Sequence, residues 1–191
     1  MKIKNTIWLF LFVSLVGCEE DVYIPKPTGF ARIDFPSHKY KKLEVDCPFE
    51  FEYGAIANYE EVNGQENTNC WFNLEYPSQN AKVHFSYLTF EENELDNFVA
   101  DARKLALEHL SKADDFEESV VMDTAANVYG VIYDFKGSTA SNLQFYLTDS
   151  VSHFVRGALY FEVVPKADSI APSEMYIEEE IEHLIETFTW K

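Results

Sequence analysis

The hydrophobic pattern of this chain changes its period three times, and these changes limit the folds that it can adopt. Residues 82–90 alternate between apolar and polar side chains, which is typical of a half-buried strand. A helical period follows over residues 92–112, strand-like segments return between 118 and 164, and a second helical stripe ends the chain. The order predicts an α+β fold, in which two main helices pack on one face of an antiparallel sheet.

Strand-like segments occur on both sides of the first predicted helix. Those before it cover residues 31–35, 49–53, 70–76 and 82–90, and residues 58–69 are predicted to form a polar surface loop. Residues 118–122, 128–135, 142–148 and 153–164 are predicted to be consecutive antiparallel strands. Residues 165–172 are predicted to be a loop, with Ser173 as N-cap of the last helix. The element order is similar to that of PsbP/Mog1-like proteins.

Each predicted helix has an apolar stripe that should face the sheet. The stripe of the first helix comprises Leu95, Phe98, Val99, Ala102, Leu105, Ala106 and Leu110. That of the last helix comprises Ile177, Ile181, Leu184, Ile185 and Phe188.

Residues 1–17 have the features of a lipoprotein signal peptide. Lys2 and Lys4 precede an apolar run at residues 6–16, which is shorter than the roughly 20 residues that a membrane-spanning helix needs. Leu15-Val16-Gly17-Cys18 has the form of a lipobox, in which the cysteine is acylated and becomes N-terminal. We predict cleavage before Cys18 and anchoring by acyl chains such as palmitate; an ordinary secretory signal with an incidental cysteine is the alternative.

Residues 18–29 are predicted to be a lipidated tether, and residues 30–191 a single domain. Pro25-Lys26-Pro27 favours an extended polyproline conformation in the tether. Glu19-Glu20-Asp21 is either a sorting signal for the lipoprotein or a solvated part of the linker.

The net charge argues against nucleic acid as a partner. The formal charge of the whole chain is −18, and it becomes about −20 without the leader, which carries two lysines and no acid. Such a body repels phosphate backbones and anionic lipid head groups. We therefore expect the Cys18 lipid, rather than electrostatic adsorption, to hold the protein at a bilayer.

Cys47 and Cys70 are the cysteines that remain in the domain. In an exported protein they can form a disulfide, since each stands beside a strand-like segment that could pair with the other. Two buried free thiols are the alternative.

Several strings of the sequence resemble the GldD family of gliding-motility lipoproteins. The first is residues 23–36 (YIPKPTGFARIDFP), the second residues 128–134 (VYGVIYD) with 138–141, and the third residues 144–165 (QFYLTDSVSHFVRGALYFEVVP). The resemblance covers nearly all of the mature chain, and it also includes the lipobox, the Pro-Lys-Pro tether and the acidic last helix. It implies a component associated with gliding and with type IX secretion, and it implies no catalytic residues. Cys47 and Cys70 depart from the family pattern.

The sequence offers no motif for catalysis, a metal ion or a cofactor, and we predict none of them. The histidines have no metal-ligand spacing, and the chain contains neither a nucleophile elbow nor a phosphate loop. The acid clusters lack the alternating ligands and central glycine of a calcium loop, so Glu178, Glu179 and Glu180 are predicted to lie on solvated surface.

Polar residues of one predicted hairpin are the candidate binding group. Asp149, Ser150, His153 and Arg156 could bind a ligand or the carboxylate of a partner, or Asp149 and Ser150 could simply stabilise the turn.

In the segment after the tether, Arg32 and Asp34 would present charge on one side of a strand. In the hairpin, Phe145, Leu147 and Phe161 should face the core, and Arg156 should remain available to a carboxylate.

Together these observations predict a non-enzymatic envelope protein that is lipid-anchored and has its domain in the periplasm. The outer membrane is favoured and the inner membrane is possible. Its expected partners are other gliding or secretion envelope proteins. A periplasmic module that binds a lipid or glycan is the alternative, which a deep apolar cavity would favour.

Overall fold

The computed structural model describes residues 34–62, 70–91, 93–162 and 167–191. Its strands are β1 (Tyr40–Lys42), β2 (Phe49–Glu50), β3 (Glu52–Gly54), β4 (Asn58–Glu61), β5 (Phe72–Tyr76), β6 (Ala81–Thr89), β7 (Ala113–Asp123), β8 (Val128–Gly137), β9 (Leu143–Thr148), β10 (His153–Phe161) and β11 (Thr189–Trp190). Its helices are α1 (Leu95–Leu107) and α2 (Ala167–Glu186), with 3-10 turns at Pro77–Gln79 and Leu110–Lys112. The predicted signal peptide, Cys18, the tether and Arg32 lie outside the described residues.

Seven of the strands form one antiparallel sheet in the order β4-β5-β6-β10-β9-β8-β7. Strands β7 to β10 follow one another as a meander, which confirms the prediction for this half of the chain. Because β6 pairs with β10, the connection through α1 takes the chain from the middle of the sheet to its far edge, where β7 begins. Strands β1 with β3 and β2 with β11 form two small additional sheets.

One face of the seven-stranded sheet carries the main core, where α2 and the aromatic residues of β2 and β3 pack on the strands. The ring centroid of Phe72 lies 4.7 Å from that of Phe85 and 6.3 Å from that of Phe51. The predicted stripe of α2 is buried here as expected, since Ile177, Ile181, Leu184, Ile185 and Phe188 all belong to this core.

The opposite face carries a smaller core under α1, so the two helices do not share a face as the sequence predicted. Side chains alternate along the meander strands, and both faces of these strands are apolar. Each face therefore needs its own cover. Ala102 and Ala106 of α1 are buried against Tyr146 and Phe154.

The stripe of α1 is narrower than predicted. Leu105 and Leu110 are 41% and 45% exposed, and Leu110 lies beyond the end of α1 at Leu107. Phe98, Val99, Ala102 and Ala106 pack on the smaller core as predicted.

Other boundaries also differ from the predictions, and β7 begins at Ala113 rather than at residue 118. Asp34 and Phe35 are not in a strand, and residues 58–61 form edge strand β4 instead of a loop, since Tyr59 packs on Phe72. Helix α2 begins at Ala167, so Ser173 is not its N-cap and Pro172 lies inside it. A proline at the sixth position of a helix removes one hydrogen bond and crowds the preceding turn, and burial of Ile170, Tyr176 and Ile177 around it favours the helix nevertheless.

A disulfide joins Cys47 to Cys70, with their Cα atoms 5.7 Å apart. It links the loop before β2 to Cys70, two positions before β5 begins, and so attaches the small strands to the main sheet. Of the two readings that the sequence left open, the structure has the bridge.

Candidate functional site

The four polar residues that the sequence grouped do not form one site. His153 and Arg156 are three positions apart on β10, so their side chains point to opposite faces of the sheet. Asp149 and Ser150 lie in the turn before the strand. The structure therefore separates these residues into a turn, a core edge and a groove.

Asp149 stabilises the turn. Its Oδ1 accepts hydrogen bonds from the backbone N–H groups of Val151, Ser152 and His153, each at 2.9 Å. Burial raises the pKa of Asp149, but these three bonds favour the carboxylate more strongly and lower the pKa overall. Ser150 takes the left-handed conformation with φ of 64°, which the tight turn requires.

His153 belongs to an aromatic group at the edge of the main core. Its Nδ1 lies 2.7 Å from the hydroxyl of Tyr87, and its ring stacks on Trp190 with centroids 5.4 Å apart. Phe145 and Leu147 are in the core as predicted, but Phe161 is only half-buried. The reason is its position at the end of β10, beyond the last residue that β9 pairs. Asp34 is exposed.

Arg156 lies in a groove on the α1 face of the sheet, in the part of that face that the helix does not cover. The groove is open to solvent, has a volume of about 320 Å³, and runs across β5, β6 and β10. We call it the Arg156 groove. Its lining residues are Val62, Trp71, Asn73, His84, Phe85, Ser86, Arg156, Ala158 and Tyr160. The strand register brings the polar ones together, since Arg156 stands opposite Ser86 and His84 stands opposite Asn73.

The Arg156 guanidinium forms no ion pair with any described residue, although the charge of Glu108 acts on it from a greater distance. Its Nη2 donates a hydrogen bond of 2.6 Å to Oε1 of Gln144, and among the described residues no carboxylate oxygen lies within ion-pair distance. Burial lowers the pKa of Arg156 because the surrounding protein disfavours its charge. The arginine therefore has donors that remain available to an anion.

Lys82 shows how the other nearby cation differs. Its Nζ lies 2.7 Å from Glu75, 3.0 Å from Glu60 and 3.9 Å from Glu162, and hydrogen bonds to the first two raise its pKa. Lys82 is already neutralised by these carboxylates, whereas Arg156 is not.

His84 supplies a polar wall of the groove. Its Nδ1 lies 2.7 Å from Oδ1 of Asn73, whose amide nitrogen donates to Glu60, so Nδ1 carries the hydrogen and Nε2 can accept one. Burial lowers the pKa of His84, and the charge of Lys82 lowers it further. The histidine is therefore neutral at neutral pH.

A second polar cluster lies on the opposite face, between β8 and α2. Carboxylate oxygens of Asp134, Glu174 and Glu178 lie within 4.8 Å of one another, a spacing that could hold a metal ion. Lys136 stands among them, with Nζ at 2.9 Å from Asp134, 2.7 Å from Glu178 and 3.8 Å from Glu174. The lysine ammonium thus supplies a cation to this cluster itself.

Comparison with known proteins adds the family. The model of the family described as gliding motility lipoprotein GldD matches residues 20–190. The chain belongs to the GldD family. This GldD-family protein is therefore a membrane-anchored envelope lipoprotein with a role in gliding motility. Among the residues that the structure describes, no helix is long and apolar enough to cross a membrane.

The GldD-family chain is also similar to the solution structure of cyanobacterial PsbP (CyanoP) from Synechocystis sp. PCC 6803, with a TM-score of 0.50. The two chains share 7% identity, and the match covers 84% of this chain and 98% of the other. At this identity the likeness shows the fold alone, and it confirms the PsbP-like α+β architecture. Comparison with curated protein sequences gave no significant match.

One acidic residue in this GldD-family protein was predicted wrongly. Glu180 is 1% exposed rather than solvated, since His38 packs over it with Nδ1 2.5 Å from Oε1 and its other ring nitrogen 2.9 Å from Glu179. The segment before β1, which contains His38, covers this part of α2. No local pattern in the sequence predicts that contact.

The Lys136 cluster and the groove walls were also missed. Glu174 and Glu178 are four positions apart on α2, and Asp134 and Lys136 are two apart on β8, so each pair shares a face. These spacings could have predicted that each pair shares a face. Only the packing of α2 on β8 brings the two pairs together.

We expect Glu174→Gln to stabilise the protein above neutral pH. Burial, followed by the charge of Glu178, raises the pKa of Glu174 from 4.5 to about 7. A raised folded-state pKa means that this group's contribution to stability is full below the unfolded pKa and is lost as the pH rises through 7. The shift corresponds to about 3 kcal/mol at pH 8. Denaturant unfolding of both proteins at pH 4 and pH 8 measures it.

The matched control is Glu182→Gln, the same change at an exposed position of α2. It should leave the difference between pH 4 and pH 8 as in the wild type. An equal effect of the two variants would show that Glu174 titrates as an ordinary surface acid.

Proposed function

We propose that this GldD-family protein is a non-enzymatic binding component of the gliding and type IX secretion apparatus. In this proposal the Arg156 groove receives a carboxylate of another envelope protein. The single observation that carries it is the half-buried guanidinium of Arg156, which has an amide partner and, among the described residues, no acid at ion-pair distance; Glu108 acts on its charge only from farther away.

The energetics support this assignment. Removing a guanidinium from water is costly unless an anion compensates for the loss of hydration. The chain has 33 acidic residues, yet Arg156 has no ion pair with any that the structure describes. A carboxylate that enters the groove would form a charge-assisted hydrogen bond in a site that is partly shielded from solvent, where such bonds are strongest.

The remaining walls fit a peptide segment. Trp71 and Tyr160 offer aromatic surface, while Ser86 and Nε2 of His84 offer polar contacts beside the guanidinium. Aromatic residues and arginine are the side chains most often found at the centres of protein interfaces.

We propose no catalysis at this site. His84 and Ser86 are neighbours on one face of β6, but the Nδ1 of His84 is bonded to Asn73, and no hydrogen bond joins the histidine to the serine within the described ranges. A nucleophile needs a bonded base and a separate oxyanion site, and neither is assembled here.

The proposed location follows from the leader. Lipid on Cys18 would anchor the chain, and the tether would hold the domain in the periplasm, at the outer membrane or the inner one. The acidic body supports a lipid anchor over surface adsorption.

The second candidate is a ligand-binding module, and the aromatic walls of the groove favour an acidic glycan over a lipid. The groove is open to solvent and mixed in polarity, which does not suit acyl chains. A uronic acid would use the same arginine, so binding experiments must include both kinds of ligand.

We expect Arg156→Ala to weaken the capture of envelope partners by about ten- to a hundred-fold, which is the loss typical of a charge-assisted hydrogen bond. The measurement is crosslinking and affinity capture from envelope fractions, followed by titration of the captured protein. Arg156→Lys should keep part of the affinity, since it keeps charge but not the planar fork.

The matched control is Arg103→Ala, because Arg103 is exposed on α1 and already paired with Glu118 at 2.7 Å. It should capture partners as the wild type does. If Arg156→Ala instead unfolds the domain, Arg156 is a structural partner of Gln144. If an oligouronate binds and no protein is captured, the glycan alternative replaces the proposal.

A further inference from the structure

Strand β7 is an edge of the seven-stranded sheet and is its longest strand. It runs from Ala113 to Asp123 and pairs with β8 on one side, while no described strand lies on its other side. A long edge strand has backbone N–H and C=O groups that can pair with a further strand.

The register shows which backbone groups face outward. Phe135 of β8 directs its N–H to Asn142, on the β9 side, so Phe116, its partner in β7, forms no ladder bond with β8. Directions alternate along an antiparallel strand, and the N–H groups of Glu118, Val120 and Met122 therefore also point away from β8. In agreement, the N–H of Phe116 is bonded to the side chain of Asp115 and not to β8.

The two faces of this edge have different side chains. Val121 packs toward the main core, so Asp115, Glu117 and Asp123, at the same parity, lie on the α2 face of the sheet. On the α1 face Val120 and Met122 are 74% and 70% exposed. An exposed apolar pair beside open backbone groups is unusual in a strand that otherwise carries acids.

We propose that β7 binds an extended, lysine-rich segment of a partner protein, which adds a strand to the sheet at this edge. Charge complementarity defines the occupant: its lysines would lie beside the acids on the α2 face, and its alternate apolar side chains would pack beside Val120 and Met122. A second copy of the chain does not fit, because pairing β7 with itself would place acids beside acids. This surface is separate from the Arg156 groove.

The test uses the mature chain and a nine-residue peptide of alternating lysine and valine with blocked ends. Amide hydrogen exchange followed by NMR should show that the N–H groups of Glu118, Val120 and Met122 become protected when the peptide is added. Those of Ser119 and Val121, which face β8, should be protected already. The same peptide with every amide N-methylated keeps the charge and should bind about ten-fold more weakly or not at all.

A pair of variants isolates the backbone contact. Val120→Pro removes an outward-facing backbone N–H but no hydrogen bond with β8. It should weaken binding of the peptide by about ten-fold. Val120→Thr is the matched control, since it keeps both the N–H and the β-branched shape, and it should bind as the wild type does. Should the proline variant misfold, Glu117→Lys with Ser119→Lys keeps all N–H groups, reverses the local charge, and should abolish binding.

Three results would each overturn the proposal. They are unchanged exchange at Glu118, Val120 and Met122, equal binding by a folded Val120→Pro, and equal binding of the N-methylated peptide. The last would mean that the acids attract lysines without strand addition. Unchanged binding by the lysine double variant would remove the charge argument.

Discussion

Phe72→Ala should lower the free energy of unfolding by about 3–5 kcal/mol, the usual effect of truncating a fully buried phenylalanine. The Phe72 side chain is completely inaccessible, and its ring contacts those of Phe49, Phe51, Tyr59 and Phe85. Cys70, two residues before Phe72, is bridged to Cys47. We therefore expect that β5 cannot move far to close the cavity. Denaturant unfolding of the oxidised protein gives the value.

Phe161→Ala is the matched control for this effect. It makes the same change in the same sheet, but Phe161 is half-buried at the end of β10. A half-buried ring loses roughly half of the transfer free energy, so we expect about 1–2 kcal/mol. Equal losses in the two variants would mean that the aromatic cluster around Phe72 is not the main source of stability.

The meander and the α2 stripe could be predicted because local patterns determine them. The meander segments are rich in aromatic and β-branched residues, turn-forming residues separate them, and the apolar residues of α2 recur with the helical period. These signals need no knowledge of distant contacts. Proline was the misleading signal, because Pro172 lies inside a helix whose burial outweighs the lost hydrogen bond and the crowding of the preceding turn.

The placement of the two helices on opposite faces could not be predicted. The meander strands have apolar residues on both faces, with Tyr146 and Phe154 on one and Leu147 and Val155 on the other. In the sequence these residues form continuous apolar runs. Such a run shows that both faces are buried but not what covers each of them.

One residue of the candidate site could be predicted from the sequence, but the residues around it could not. Arg156 stood out as a cation among turn residues, yet Trp71, Asn73 and His84 join it through the pairing of β6 with β10, which connects positions more than 60 residues apart. The same separation concealed Glu180, whose cover His38 lies 142 residues away. Non-local contacts of this kind follow from topology and not from local pattern.

Cys18→Ser should abolish lipid attachment and release the protein from the membrane fraction. The lipobox offers one thiol for acylation, and a serine hydroxyl cannot replace it in the thioether that holds the lipid. Each buried CH₂ of an acyl chain contributes about 0.8 kcal/mol to membrane affinity, so losing the chains removes the anchor and not merely a part of it. The strongly negative net charge of the chain disfavours adsorption of the released protein to an anionic bilayer.

Metabolic labelling with a palmitate analogue measures the attachment, and fractionation of the envelope measures the location. The matched control is Cys47→Ser with Cys70→Ser, which removes the disulfide thiols and leaves Cys18 in place. The control should incorporate label as the wild type does, though its domain should be less stable by about 3 kcal/mol, because the bridge closes a loop between residues 23 positions apart.

Cys18→Ser should incorporate none, accumulate as an unprocessed or soluble exported form, and fail to support gliding. Equal labelling of Cys18→Ser and the wild type would refute the anchor, and full gliding by an unlabelled Cys18→Ser protein would show that the domain acts without being held at the membrane.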